Sequence, residues 1–271
     1  MLLRHIATVN AARLPGERIP FLIGAQQVGW LAPGIAEAVA EFPDVHAGPA
    51  GLVLDAPAGL PGIAHALSLR GLLRWRGEAF DVRADPDGPA LSTIDRGALP
   101  VFGIEAEGIH LDGLVQRPNG PHLWIARRSA SKALDPGKLD HIVAGGIPAG
   151  LGPLETLVKE AAEEAAMPEA LARRAVGIGT IRYAMDRPEG LRRDRLHCFE
   201  VDLPDDFTPR AADGEVESFE LWPLAAVARA LLTDCNAFKF NVSVVLANLL
   251  LRHGIFTGSD AARLDSALPR K

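Results

Sequence analysis

The stretch from Ala144 to Pro168 constrains the chain more than any other. It opens as a Gly-rich loop, Ala144-Gly-Gly-Ile-Pro-Ala-Gly-Leu-Gly152, and continues into a helix predicted over residues 153–166. Pro153 suits the first helical turn, where a missing N–H is no loss, and Pro168 stops the helix. Leu154, Leu157, Val158, Ala161 and Ala165 make one apolar stripe, which needs a core to lie on. Glu160, Glu163 and Glu164 are spaced i, i+3, i+4 and share a face turned to water or to a metal. Three carboxylates together repel, and a divalent cation would remove that penalty; oxygen-rich clusters suit Mg²⁺ or Mn²⁺. An isolated Glu cluster on a helix is ordinarily a solvated face, supported here by Glu155–Lys159 and Lys159–Glu163 pairs. Context decides between the two readings.

That context is a set of strands. Residues 108–115 and 122–126 are strand candidates joined by the turn Arg117-Pro-Asn-Gly-Pro121, which predicts a hairpin. Further strands are expected at 179–183, 196–201 and 219–222, with helices near 223–232 and 241–252. Ahead of them, 18–23 and 79–83 read as strands, 33–42 and 67–78 as helices, and 85–89 as a turn. A formal charge of −6 argues against non-specific nucleic-acid binding, which needs clustered Lys and Arg. Two cysteines, Cys198 and Cys235, are too few for a disulfide framework, and no apolar run reaches membrane-spanning length. The expected setting is the cytoplasm, with no nucleic-acid and no membrane partner.

The Gly-Gly loop and carboxylate helix resemble the Nudix box, G-x5-E-x7-R-E-U-x-E-E-x-G-U, where U is apolar. Anchored on Glu163-Glu164, the pattern puts Gly145 at its first Gly, Lys159 at its Arg and Glu160 at the next Glu. Leu151 replaces the early Glu and Ala166 the final Gly. A wider set of segments, Trp124-Ile-Ala-Arg-Arg-Ser129, Lys132, Pro136-Gly-Lys-Leu-Asp-His141, Val143-Ala-Gly-Gly146, Asp213-Gly-Glu-Val-Glu217 and Arg252-His-Gly254, resembles one branch of that family. It is the Nudix branch that fungi fuse to thiamine pyrophosphokinase, in which Lys commonly replaces the box Arg.

The resemblance implies an α+β fold class: a Nudix α/β/α sandwich with a mixed sheet over residues 101–256. A small α+β domain of unknown function, 1–100, would precede it and a C-terminal tail, 257–271, would follow. It implies Mg²⁺ or Mn²⁺ held by Glu160, Glu163 and Glu164, with Glu163, Glu164 and Glu215 as catalytic carboxylates and Glu217 as the fallback for Glu215. Lys159 would orient the carboxylates. Arg127, Arg128, Lys132, Gly145 and Gly146 would bind a small-molecule diphosphate, with Lys138 a further candidate. The implied reaction is hydrolysis of thiamine diphosphate, or its oxidised derivatives, to the monophosphate and phosphate; a nucleoside-diphosphate derivative is the alternative substrate. A non-catalytic binding module would have lost box carboxylates that are present here. An isopentenyl-diphosphate isomerase would carry a cysteine in 139–143, which has none. Residues 1–100 read either as a packing or dimerisation unit, giving a homodimer, or as a lid that shapes the pocket; the lid is preferred. His141 reads as structural.

Overall fold

The computed structural model describes residues 2–131, 134–212 and 214–270. The N-terminal part contains α1 (Leu2–Val9), β1 (Ile19–Ile23), β2 (Gln26–Leu31), α2 (Pro33–Ala40), β3 (Val45–Gly48), β4 (Gly51–Leu54), α3 (Leu60–Leu69), β5 (Ala79–Val82), β6 (Ser92–Asp95) and α4 (Leu99–Phe102). The remainder contains β7 (Glu105–Arg117), β8 (Gly120–Arg128), β9 (Leu139–His141), β10 (Val143–Gly146), α5 (Pro153–Ala165), α6 (Glu169–Ala172), β11 (Val176–Arg187), β12 (Gly190–Asp202), β13 (Val216–Pro223), α7 (Leu224–Thr233), α8 (Val242–Arg252) and α9 (Gly258–Ala267).

In the first part, a four-stranded sheet in the order β2-β1-β4-β3 and the β5–β6 hairpin share one core with α2, α3 and α4. Phe21, Leu54, Leu67, Phe80 and Phe102 are buried in it. The expected helix over 67–78 is displaced: α3 ends at Leu69, and Gly71 and Gly77 follow at φ 74° and 75°. Glycine adopts that left-handed backbone freely, so the apolar residues 72 and 73 lie beyond a break rather than inside a helix.

The second part is a mixed sheet between two helical layers. Its path is β11-β12-β7-β8-β13, with β12 parallel to β7 and the other pairs antiparallel. The β7–β8 hairpin is bonded only near its turn, from Leu114↔Leu123 to Arg117↔Gly120. Beyond that it splays, and β10 pairs with β7 while β9 pairs with β8. The Gly-rich segment is therefore strand as far as Gly146 and loop only from Ile147 to Gly152. Strand side chains alternate between faces, so each strand serves two cores. Ile109, Leu111 and Val201 pack with Leu157, Ala161 and Ala165 of α5. Leu114, Leu196 and Cys198 pack with α7 and α8 on the other face. Leu2, Ile6 and Val9 of α1 and Leu264 of α9 join this second core, although the sequence division placed them in an N-terminal domain and a tail.

Candidate active site

Helix α5 is held by its apolar stripe and by both ends. The Glu155 carboxylate reaches back to accept the Gly152 N–H at 2.9 Å, and the Thr156 N–H bonds Gly152 O at 3.0 Å. At the far end Ala166 takes a left-handed φ of 50° before Pro168, which terminates the helix. Leu157, Ala161 and Ala165 are buried against the sheet. This fixes which way the acidic face points: toward β10 and the mouth of the splayed hairpin.

The glutamates occupy graded environments. Glu163 is half exposed and pairs with Lys159 at 2.7 Å; Glu160 is mostly covered and meets the same ammonium at 3.0 Å. The lysine thus sits between two candidate ligands, and its bonds to Glu163 raise its own pKa above the usual range. Glu164 is 7% exposed, buried rather than facing water as its helical position suggested. Its Oε2 accepts the Ala144 N–H from β10 at 2.9 Å. Burial pushes this carboxyl up to about 8, against the Ala144 bond, and the charges of Asp140, Glu160 and Glu215 push the same way. Glu160 is also raised, first by burial, with Lys159 opposing. Gly145 belongs to the same geometry: a methyl there would lie 2.7 Å from Cγ and Cδ of Glu160. Only a glycine lets strand and carboxylate approach so closely.

Arg128, Asp140, Ala144, Glu164, Glu215 and Val216 line one small cavity. Glu215 reaches it because its carbonyl accepts the Ser129 N–H at 2.9 Å, which pins the entry of β13 to the end of β8. Glu217 is exposed and is not among the cavity residues. Arg128 is buried and directed inward: Nη1 donates to Asp140 Oδ2 at 2.6 Å, Nη2 to Leu134 O at 2.8 Å and Nε to Asp135 O at 3.1 Å. Its guanidinium braces the 134–140 loop. Arg127 is the more exposed of the pair, with Nη1 on Gly137 O at 3.1 Å, and Lys138 pairs with Asp135 at 3.1 Å. Lys132 lies outside the described residues. Gly146 faces away from α5, toward Phe80.

Two ions not singled out by sequence belong to this region: Asp140, which lines the cavity, and Lys239, which pairs with it. Asp140 takes both Arg128 and, at 3.5 Å, the buried Lys239. Burial favours its neutral form, yet Lys239, His110, His141 and Arg128 together hold the carboxyl well below its usual range. Burial lowers the Lys239 pKa, with Asp140 opposing. A charged residue inside the apolar runs Leu139–Val143 and Phe238–Phe240 was the available signal, since such groups are rarely buried without a partner.

Among the described residues, no three His, Cys, Asp or Glu side chains converge into a finished metal cage. Mg²⁺ does not require one; it keeps several waters and takes one or two carboxylates plus substrate phosphate oxygens. The donors here fit that pattern: they are all oxygens, and burial leaves Glu164 short of compensating charge.

A family model described as NUDIX domain matches residues 109–241. Nudix hydrolase 24, chloroplastic, of Arabidopsis thaliana is 37% identical over 262 residues, spanning 92% of this chain and 72% of the relative. Nudix hydrolase 20, chloroplastic, of the same plant is 36% identical over 269 residues, with the same shares of both chains. Among solved structures, the fold is similar to that of DR0079 from Deinococcus radiodurans, at a TM-score of 0.50 and 20% identity over 63% of this chain and 98% of that one. Identity above a third along most of both sequences, joined to a carboxylate helix packed on a Gly-Gly strand, places this chain in the Nudix hydrolase family, as a hydrolase acting on pyrophosphate bonds.

Proposed function

We propose that the chain is a Mg²⁺- or Mn²⁺-dependent hydrolase that cleaves thiamine diphosphate, or its oxidised derivatives, to the monophosphate and phosphate. The observation that carries the metal-dependent reading is Glu164, a nearly buried carboxyl raised to about 8, with the charges of Glu160 and Glu215 pushing the same way, at the wall of a small cavity that Glu215 also lines. The substrate reading rests on the resemblance of residues 124–146 and 213–217 to the thiamine-linked branch.

A bound divalent cation would supply charge neutralisation for the diphosphate and would acidify a water. The chain's residues do the rest. Glu160 and Glu164, with Glu163, would hold the cation. Glu215, which lines the same cavity, would accept the proton of the attacking water. Lys159 holds Glu160 and Glu163 together, and Gly145 lets the β10 backbone lie against Glu160. By the resemblance Arg127 would meet a substrate phosphate, although Arg128 is the arginine that lines the cavity, where it supports the 134–140 loop. The reading includes a small-molecule substrate and a cytoplasmic setting, supported by two free cysteines.

The test is a phosphate-release screen with Mg²⁺ across thiamine and nucleoside diphosphates and their derivatives. The expected result is release from thiamine diphosphate or an oxidised form, abolished by EDTA. Preference for a nucleoside-diphosphate derivative would overturn the substrate reading. Tight binding of a diphosphate without turnover would mark a binding module instead.

A further inference from the structure

Gly145 and Gly146 end β10 back to back, and their two faces meet different parts of the molecule. A methyl on Gly145 would lie 2.7 Å from Glu160 of the carboxylate helix. A methyl on Gly146 would lie 2.5 Å from Cζ and 3.1 Å from Cε1 of Phe80. Phe80 belongs to β5 in the N-terminal core and is 3% exposed. The strand is thus pressed between α5 on one side and an aromatic ring from the N-terminal unit on the other. The contact continues along the following loop: the Ala149 N–H donates to Ala79 O at 2.8 Å and the Gly150 N–H to Asp81 Oδ2 at 3.3 Å. Asp87 of the same unit pairs with Arg195 of β12 at 2.8 Å.

We propose that the N-terminal unit is part of the catalytic apparatus, with Phe80 as a positioning residue that clamps β10 against the carboxylate helix. The Ala144 N–H bonds Glu164 and Gly145 abuts Glu160, so a shift of β10 reaches both carboxylates. The proposal rests on the metal-carboxylate reading above. It places the unit beside the loop that leads into α5, rather than over the cavity. Catalytic geometry tolerates little movement, and a misplacement of about 1 Å introduced away from the chemistry costs on the order of a hundredfold in rate.

The test uses the full chain, with Mn²⁺ alone titrated by calorimetry, a thermal melt, and kcat and KM on the diphosphate that the screen selects. Phe80→Tyr keeps the ring in its core but adds an oxygen at Cζ, aimed at Gly146. Phe80→Leu withdraws the ring edge, and Gly146→Ala inserts a methyl against it. Each single variant is expected to weaken Mn²⁺ binding about fivefold and to lower kcat about tenfold at unchanged KM. In the double variant Phe80→Leu, Gly146→Ala, the methyl occupies space the ring has left, and both quantities should return to within about twofold of the parent. A contact that only supports folding would shift the melt and leave Mn²⁺ affinity and kcat alone. Parental Mn²⁺ affinity and kcat in folded Phe80→Tyr and Phe80→Leu would overturn the proposal while leaving the metal reading intact. Should Gly146→Ala not fold, those two variants decide. A parent chain that binds no Mn²⁺ would instead sink the metal reading, and this proposal with it.

Discussion

Glu164 shows how one side chain can make function and stability compete. Its carboxyl is raised from 4.5 to about 8, first by burial. An acid whose folded pKa is raised is neutral in the fold and ionised in the unfolded chain between those values. The metal-free protein therefore loses stability as pH climbs from about 4.5 to about 8, and the loss is complete above that. Glu164→Gln keeps an oxygen for the Ala144 N–H and removes the buried charge. Without metal, the variant should be more stable than the parent by about 1–3 kcal/mol at pH 8 and nearly equal to it at pH 4.5. Turnover should fall by about a hundredfold or more, because transition-state charge loses a partner. Melts at the two pH values, run in EDTA, and steady-state rates in Mg²⁺ check both halves; a variant that melts no higher at pH 8 would mean that Glu164 is ionised at no cost. Glu155→Gln is the control on the same helix. Its carboxylate serves the Gly152 N–H, outside the cavity, and a glutamine oxygen can still accept that bond. Near-parental rates are expected from it, and a matching loss would show that the acidic face as a whole, rather than the cavity, governs turnover.

At the scale of the element, the spacing between β10 and α5 is set by the absence of a side chain. Gly145→Ala drives a methyl into the end of the Glu160 side chain, which must swing aside, so the expected cost in stability is small, about 1 kcal/mol or less, with a clear loss of Mn²⁺ affinity. Calorimetry and a melt on the same preparation test this; a folded variant with parental Mn²⁺ affinity would detach Glu160 from the metal. Elements with local start and stop signals were legible in the sequence. Pro153 and Pro168 bracket α5, and the 117–121 turn marks the β7–β8 hairpin. Elements defined by distant partners were not. Gly145 and Gly146 read locally as loop and are strand because β7 supplies their pairing. Leu72 and Trp75 read as part of a helix, yet they lie past the end of α3 and are exposed beyond the left-handed Gly71. The site shows the same division. Glu160, Glu163 and Glu164 follow from helical periodicity. Asp140 finds Lys239 a hundred residues away, and Phe80 finds Gly146 across two cores, contacts that no local pattern carries.

For the molecule as a whole, acid stability depends on which face of the central sheet is protonated. His110, Asp112 and His141 are buried on the face away from α5, where α8 packs. The His110 and His141 rings meet edge-on at 4.7 Å, and His141 Nδ1 lies 3.4 Å from Asp112 Oδ1. Burial lowers His141 to about 4, with Asp140 opposing and Lys239 reinforcing, and lowers His110 well below its usual value. Burial raises Asp112, so both partners of that pair are held neutral. A histidine whose folded pKa is depressed is neutral in the fold while the unfolded chain takes up a proton near 6.5. Its support is complete above about 6.5 and drains away as pH falls toward 4, by about 3 kcal/mol for His141. Glu164, on the other face, acts with the opposite sign across the same interval in the metal-free protein, since it favours folding once protonated. These two slopes oppose each other in a profile to which His110, Asp112, Glu160 and Asp140 also contribute, so the informative measurement is a difference. Urea unfolding in EDTA at pH 7.5, 6 and 5 should show the parent losing more stability on acidification than His141→Asn, which has no group to protonate there. The same series on Glu164→Gln should show a steeper acid loss than the parent, because the compensating slope is gone. Parallel profiles for the parent and His141→Asn would mean that His141 takes up its proton at the same pH in the fold as in the unfolded chain, and a shallower acid loss in the parent would mean that it is already charged in the fold, with the Asp112 pair ionic rather than neutral.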